Sequence, residues 1–122
     1  MVDFKRLLLS FKYAFEGITY AFVHDQNLRI HILVTLFVLT AGIFYKLSGF
    51  EMWILGIMIL FVVMAEMLNT AIEQMVNLIS LEHKKEAKIA KDVSAGMVFF
   101  TVIAAIIVGL LIFLPHIFIN PS

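Results

Sequence analysis

The sequence predicts an all-α membrane protein: an N-terminal amphipathic surface helix followed by three transmembrane helices. Three observations predict it. Hydrophobic residues make up 62% of the 122-residue chain and charged residues only 15%, with a mean hydropathy of +1.02, far more apolar than an ordinary soluble domain. Charges gather in short stretches between long apolar runs. The basic residues are also divided unevenly between the two sides that those runs define.

Residues 4–22 place Phe4, Leu7, Leu8, Phe11, Phe15, Ile18 and Phe22 at spacings of three and four, with Lys5, Arg6, Lys12, Glu16 and Thr19 elsewhere. That pattern predicts a helix lying in the membrane surface. The connector "HDQN" at 24–27 leads through Arg29 and His31 into a first span, about 28–47, with Arg29 and Lys46 as snorkelling ends,. The turn "KLSGFE" precedes a second span, about 52–81, and a polar loop, "EHKKEAKIAKD" at 82–92, precedes a third, about 92–118,. No Pro/Gly/Ser-rich linker divides residues 1–122, which read as one domain without a cleavable signal peptide,.

Lys5, Arg6, Lys12 and Arg29 precede the first span, Lys84, Lys85, Lys88 and Lys91 separate the second from the third, and Lys46 alone occupies the other turn. A multi-pass membrane protein with a cytoplasmic N-terminus and 82–92 loop, and an outward C-terminus, satisfies that bias. Cysteine is absent and net charge is zero. These exclude disulfides and thiol catalysis and argue against a nucleic-acid partner. The glycines form no familiar phosphate-cradling loop.

The second span carries polar residues in "VMAEMLNTAIEQMVNLIS" at 63–80. Glu66, Asn69, Glu73 and Asn77 recur at intervals of three and four, so they share one helix face. At about 1.5 Å per residue, Glu66 lies roughly 21 Å from Met52, and Glu73 about 10 Å further on at the cytoplasmic edge. A charge at membrane depth costs about 3 kcal/mol even on the mild insertion scale, so Glu66 is neutral, paired or functional. Pairing with a base on a neighbouring helix would account for a single acid. For four polar positions it is a costlier way to hold helices together than small residues would be.

Asp25 and Asp92 sit at the level of Glu73, and converging carboxylates at a water boundary suit a hard cation such as Mg²⁺. Asp92 equally suits the first turn of a helix, and the basic residues equally serve topology and anionic lipid. Ser94, Ala95 and Gly96 would let another helix or a lipid chain approach closely. His24 and His31 read as interfacial side chains rather than a metal pair, and His83 and His116 stand alone,.

"AEMLNTAIE" at 65–73 with "AKD" at 90–92, together with "FKYAFEGI" at 11–18 and "NLRIH" at 27–31, resembles the bacterial small integral-membrane lipid kinases, the diacylglycerol kinase and undecaprenol kinase family. "NLRIH" and "FEGI" look more like the undecaprenol kinase branch of Gram-positive bacteria, and His31 replaces a Glu of the diacylglycerol kinase branch. The resemblance implies a homotrimer with active sites shared between subunits, and transfer of the ATP γ-phosphoryl to a lipid hydroxyl.

It also implies roles for individual residues. Glu66 would be the catalytic base, and Asp25 and Glu73 the Mg²⁺ ligands, with Asp25 one methylene shorter than the family's usual Glu. Arg6, Tyr13, Lys91 and Asp92 would contact ATP, Glu82, His83 and Lys84 would belong to the nucleotide-binding loop, and Asn69 would support the site. Asn77, where many relatives have Asp, receives no catalytic role.

The expected function is therefore an ATP- and Mg²⁺-dependent lipid kinase of the cell membrane acting on a membrane lipid alcohol, undecaprenol foremost and diacylglycerol as the alternative. A small oligomeric proton or ion channel lined by Glu66 and Glu73 is the competing reading from another class. A purely structural subunit is a third.

Overall fold

Capping side chains, rather than hydropathy, fix where the first three helices of this chain begin. The computed structural model describes residues 1–79 and 84–119, and among these every regular element is helical. α1 spans Phe4–His24. Asp3 caps it, its carboxylate accepting the backbone N–H groups of Lys5 and Arg6 at 3.0 and 3.3 Å,. Most apolar side chains of α1 are exposed in the single chain, and only Ala21 is buried. Its 14–21 portion borders a shallow groove whose other wall is residues 67–74.

The connector between α1 and α2 (Gln26–Phe44) contracts to Asp25 alone. Asp25 Oδ1 accepts the N–H groups of Asn27 and Leu28 at 2.9 and 3.3 Å, an N-cap for which a short acid is well suited,. Arg29 does not snorkel. Its Nη1 donates to the carbonyls of Phe22 and Val23 at 2.9 and 2.6 Å, satisfying the open end of α1 and fixing the corner between the helices,.

α2 ends in a tight turn with Lys46 at φ 56°. Gly42, near the end of α2, is buried against the Met52 side chain, which would have to shift to admit a Cβ 2.8 Å from its Sδ. α3 (Gly49–Ile79) starts earlier than hydropathy suggests, because Ser48 and Glu51 form a reciprocal capping box. The Ser48 N–H donates to Glu51 Oε1 at 2.9 Å and the Glu51 N–H to Ser48 Oγ at 3.1 Å,. Thirty-one residues make about 46 Å of helix, longer than a hydrocarbon core of about 30 Å.

α4 (Lys85–Leu114) also starts earlier than expected, so residues 85–92 are its first two turns rather than loop. Lys, Glu and Ala are strong helix formers, and Lys88 Nζ donates to Asp92 one turn on,. A short π-helical turn, Pro115–Ile119, closes the described chain. α3 and α4 form the main packing unit, antiparallel, joined by polar contacts of Asn77 with Lys91 and Asn69 with Ser94, and Glu51 of α3 meets His116 of the turn that follows α4. Gln26–Phe44, Gly49–Ile79 and Lys85–Ile119 are each long and apolar enough to cross a membrane.

Candidate active site

α3 turns Leu55, Val62, Ala65, Glu66 and Asn69 inward at helical spacing, so its buried face changes from apolar to polar at Glu66,. Glu66 is 2% exposed, the one ionisable residue that is buried among the described residues. Its Oε1 lies 3.3 Å from Nε2 of His31 on α2. Its Oε2 is buried and has no hydrogen-bond partner among the described residues. An unsatisfied buried carboxylate oxygen is costly, so this atom is poised to accept a proton donor. The acids Asp25 and Glu73 lie within electrostatic reach of it.

The next turns of α3 gather the remaining polar groups. The Asn69 side chain is held from both ends, its Oδ1 accepting the Ser94 hydroxyl at 2.6 Å and its Nδ2 donating to Glu73 Oε1 at 3.5 Å. Thr70 donates its hydroxyl to Asp25 Oδ2 at 2.9 Å. Asp25 thus caps α2 with one oxygen and touches α3 with the other, which links the α1–α2 corner to the face carrying Glu66.

No group of three or more His, Cys, Asp or Glu side chains close enough to share an ion occurs among the described residues. The polar donors near Glu66 are the Asp25 and Glu73 carboxylates, the Thr70 hydroxyl and the Asn69 amide. An oxygen-rich set with only two outer carboxylates fits Mg²⁺, which keeps several waters and completes its shell with phosphate oxygens.

At the start of α4, Lys84, Lys85, Lys88, Lys91 and Asp92 border a recess of about 380 Å³. Lys91 Nζ donates to Asn77 Oδ1 at 2.7 Å, so the residue given no catalytic role orients a cation. Asp92 is engaged by Lys88. Arg6 and Tyr13 stand exposed on α1 rather than in this cluster. Glu82 and His83 lie outside the described residues.

Sequence reasoning missed several partners. His31 and His116 have partners that their places in the sequence do not disclose. His31 meets Glu66, and His116 Nε2 lies 3.0 and 3.1 Å from the two Glu51 oxygens. Thr70 and Asn77 were likewise not seen as holding Asp25 and Lys91. The spacing of Asn77 from Glu73, one turn along the same face, was the available signal.

Comparison with known proteins places this sequence among relatives. The sequence pattern of the prokaryotic diacylglycerol kinase family matches residues 12–113. The chain is 41% identical to a diacylglycerol kinase of Synechocystis sp. over 110 residues, 89% of this chain and 63% of that protein, so it spans less than two thirds of that relative's length. It is 38% identical to the undecaprenol kinase of Bacillus subtilis over 113 residues, covering 93% of this chain and 92% of that one. A diacylglycerol kinase of Helicobacter pylori is 30% identical over 106 residues, 82% of each chain.

Proposed function

Because this chain belongs to the prokaryotic diacylglycerol kinase family, a family of membrane lipid kinases, we propose that it transfers the γ-phosphoryl group of ATP to the hydroxyl of a membrane lipid alcohol. Undecaprenol, giving undecaprenyl phosphate, is the preferred acceptor. Diacylglycerol, giving phosphatidic acid, is the alternative. "NLRIH" and "FEGI" support the preference, as does the similarity to the Bacillus subtilis undecaprenol kinase along nearly all of that chain.

The observation that carries the reading is the state of Glu66: buried, one oxygen beside His31, the other without a partner. A lipid alcohol reaching the edge of the apolar core donates its O–H to Oε2. As the alcohol oxygen attacks the γ-phosphorus, Glu66 takes the proton, the new O–P bond forms, and the bond to the β-phosphate oxygen breaks with its electron pair leaving on ADP. His31 keeps Oε1 occupied, so a single oxygen faces the acceptor.

Asp25 and Glu73 would hold Mg²⁺, which when bound neutralises phosphate charge. Lys91, oriented by Asn77, and Lys84 provide cations for phosphate oxygens, and the recess at the start of α4 has the volume and charge for them,. Asp92 would act there beside Lys88. Glu82 and His83 would extend this nucleotide-binding stretch.

Arg6 and Tyr13, on the exposed face of α1, would complete an ATP site from an adjacent copy in a homotrimer. α1 would lie in the membrane surface, with the N-terminus and the active site cytoplasmic and the C-terminus outside the cell membrane, the arrangement that the basic residues favour.

The test is transfer of labelled γ-phosphate from Mg-ATP to undecaprenol and, separately, to diacylglycerol in mixed micelles. Labelling of undecaprenol above diacylglycerol is expected. Preference for diacylglycerol would reverse the acceptor assignment, and labelling of neither lipid by folded protein would overturn the kinase reading.

A further inference from the structure

Thr70 stands between two residues of the candidate site, and the reaction as drawn gives it nothing to do. Its Oγ1 lies 2.9 Å from Asp25 Oδ2 on one side and 3.1 Å from the carbonyl oxygen of Glu66 on the other. Both neighbours are acceptors, whereas a hydroxyl has one proton to give and two lone pairs to offer. One proton cannot satisfy both oxygens at once.

Asp25 is constrained from its own side. Its Oδ1 accepts the N–H groups of Asn27 and Leu28, which fills the two lone pairs of that atom. A cation is therefore left with Oδ2, directly beside the Thr70 hydroxyl. Mg²⁺ holds its oxygens at about 2.0–2.1 Å in a near-ideal octahedron, so adjacent ligands are about 2.8–3.0 Å apart. The 2.9 Å between Asp25 Oδ2 and Thr70 Oγ1 fits that edge. An ordinary hydrogen bond has the same length, and here the second acceptor decides. A cation on Oδ2 repels the hydroxyl proton, the Glu66 carbonyl one turn back on α3 receives it, and a lone pair of Oγ1 turns to the cation,. Asp25 and Thr70 are both half-buried, and Thr70 borders the groove between α1 and α3, so the two oxygens are held in place and still reached from outside.

We infer that the Thr70 hydroxyl oxygen is a neutral ligand of the divalent cation, adjacent to Asp25 Oδ2, with its proton held by the Glu66 carbonyl. The inference rests on the Mg²⁺-dependent kinase reading and adds to it an oxygen that no acid supplies. A hydroxyl brings no charge, so the site gains a ligand without adding to the repulsion that Asp25 and Glu73 present to phosphate. It also joins the cation to the turn of α3 that carries Glu66.

The test is Mn²⁺ binding to the whole protein in detergent, with neither ATP nor lipid, followed by electron paramagnetic resonance. Thr70→Val keeps the shape and removes the hydroxyl, and it should weaken Mn²⁺ binding by about tenfold or more. Thr70→Ser keeps the hydroxyl and should bind like wild type. Thr70→Cys separates a ligand from a residue that only positions Asp25. The chain has no cysteine of its own, and a thiolate prefers a soft cation to a hard one. If the side chain touches the cation, Thr70→Cys loses Mn²⁺ affinity, binds Cd²⁺ more tightly than wild type, and shows a thiolate-to-cadmium absorption band. Wild-type Mn²⁺ affinity in Thr70→Val, an equal loss in Thr70→Ser, or no gain of Cd²⁺ in Thr70→Cys would overturn the inference, as would wild-type protein that binds no Mn²⁺. Binding needs no turnover, so protein that holds Mn²⁺ through Thr70 yet phosphorylates no lipid would sink the kinase reading and leave the ligand standing.

Discussion

His31 Nε2 and Glu66 Oε1 lie 3.3 Å apart, joining α2 to α3 at the point where the buried face of α3 turns from apolar to polar. Glu66 Oε2 is buried without a hydrogen-bond partner among the described residues, and in the proposed reaction it would be the oxygen that receives the acceptor proton. Selecting an oxygen in this way is a matter of orientation. In the proposed reaction His31 would act as a positioning residue, and Glu66 would carry the chemistry.

Replacing His31 by Leu frees Glu66 to rotate. Misplacement of a catalytic group by about 1 Å can cost on the order of 100-fold, and kcat is expected to fall by that order with the KM for ATP unchanged. His31→Gln retains an N–H donor and should recover most of the loss. Steady-state kinetics at saturating lipid separate the two variants.

Asp25 caps α2 and in the proposed reaction would also hold Mg²⁺, and two substitutions separate the two roles. Asp25→Ala removes the cap of α2 and should lower stability by about 1 kcal/mol, visible as a lower thermal midpoint in detergent. Asp25→Asn keeps an acceptor for the Asn27 and Leu28 N–H groups but loses the charge. It should melt like wild type while requiring a higher Mg²⁺ concentration for half-maximal activity.

Asn69 spans the α3–α4 interface. In Asn69→Leu the buried Ser94 hydroxyl loses the oxygen it donates to, and an unsatisfied buried group costs about 1–3 kcal/mol. Thermal unfolding should report a loss of that size. The double variant Asn69→Leu/Ser94→Ala, which removes both partners, should recover part of it.

Lys91 and Asn77 should behave as a pair toward ATP. Lys91→Gln is expected to raise the KM for ATP about 10- to 100-fold, as losing a charge-assisted hydrogen bond of about 1.5–3 kcal/mol implies. Asn77→Ala should have a smaller effect in the same direction and add little on top of Lys91→Gln. Additive effects in the double variant would show that Asn77 does not act through Lys91.

The helices were legible because hydropathy and spacing are local properties of the chain. The shared face of Glu66, Asn69, Glu73 and Asn77 follows from their positions alone. Helix starts were less legible, since they depend on caps. Asp25 and the Ser48–Glu51 box start α2 and α3 before the apolar runs begin, and the charged residues at 85–92 read as loop by hydropathy although their helix propensity is high,. The partners of the site were not legible at all. His31 and Glu66 are 35 positions apart, and Thr70 and Asp25 are 45 apart. Only the packing of α2 and α4 on α3 brings such residues together.

The most direct test of the central claim is Glu66→Gln, with Mg-ATP binding and lipid phosphorylation measured on the same preparation. The carboxamide keeps shape and the contact to His31 but cannot take a proton. The account predicts that ATP affinity changes less than twofold while kcat falls by about 10²–10⁴, the range of a general base. Turnover near wild type, or a loss of ATP affinity that matches the loss of rate, would contradict the assignment of Glu66 to the lipid hydroxyl.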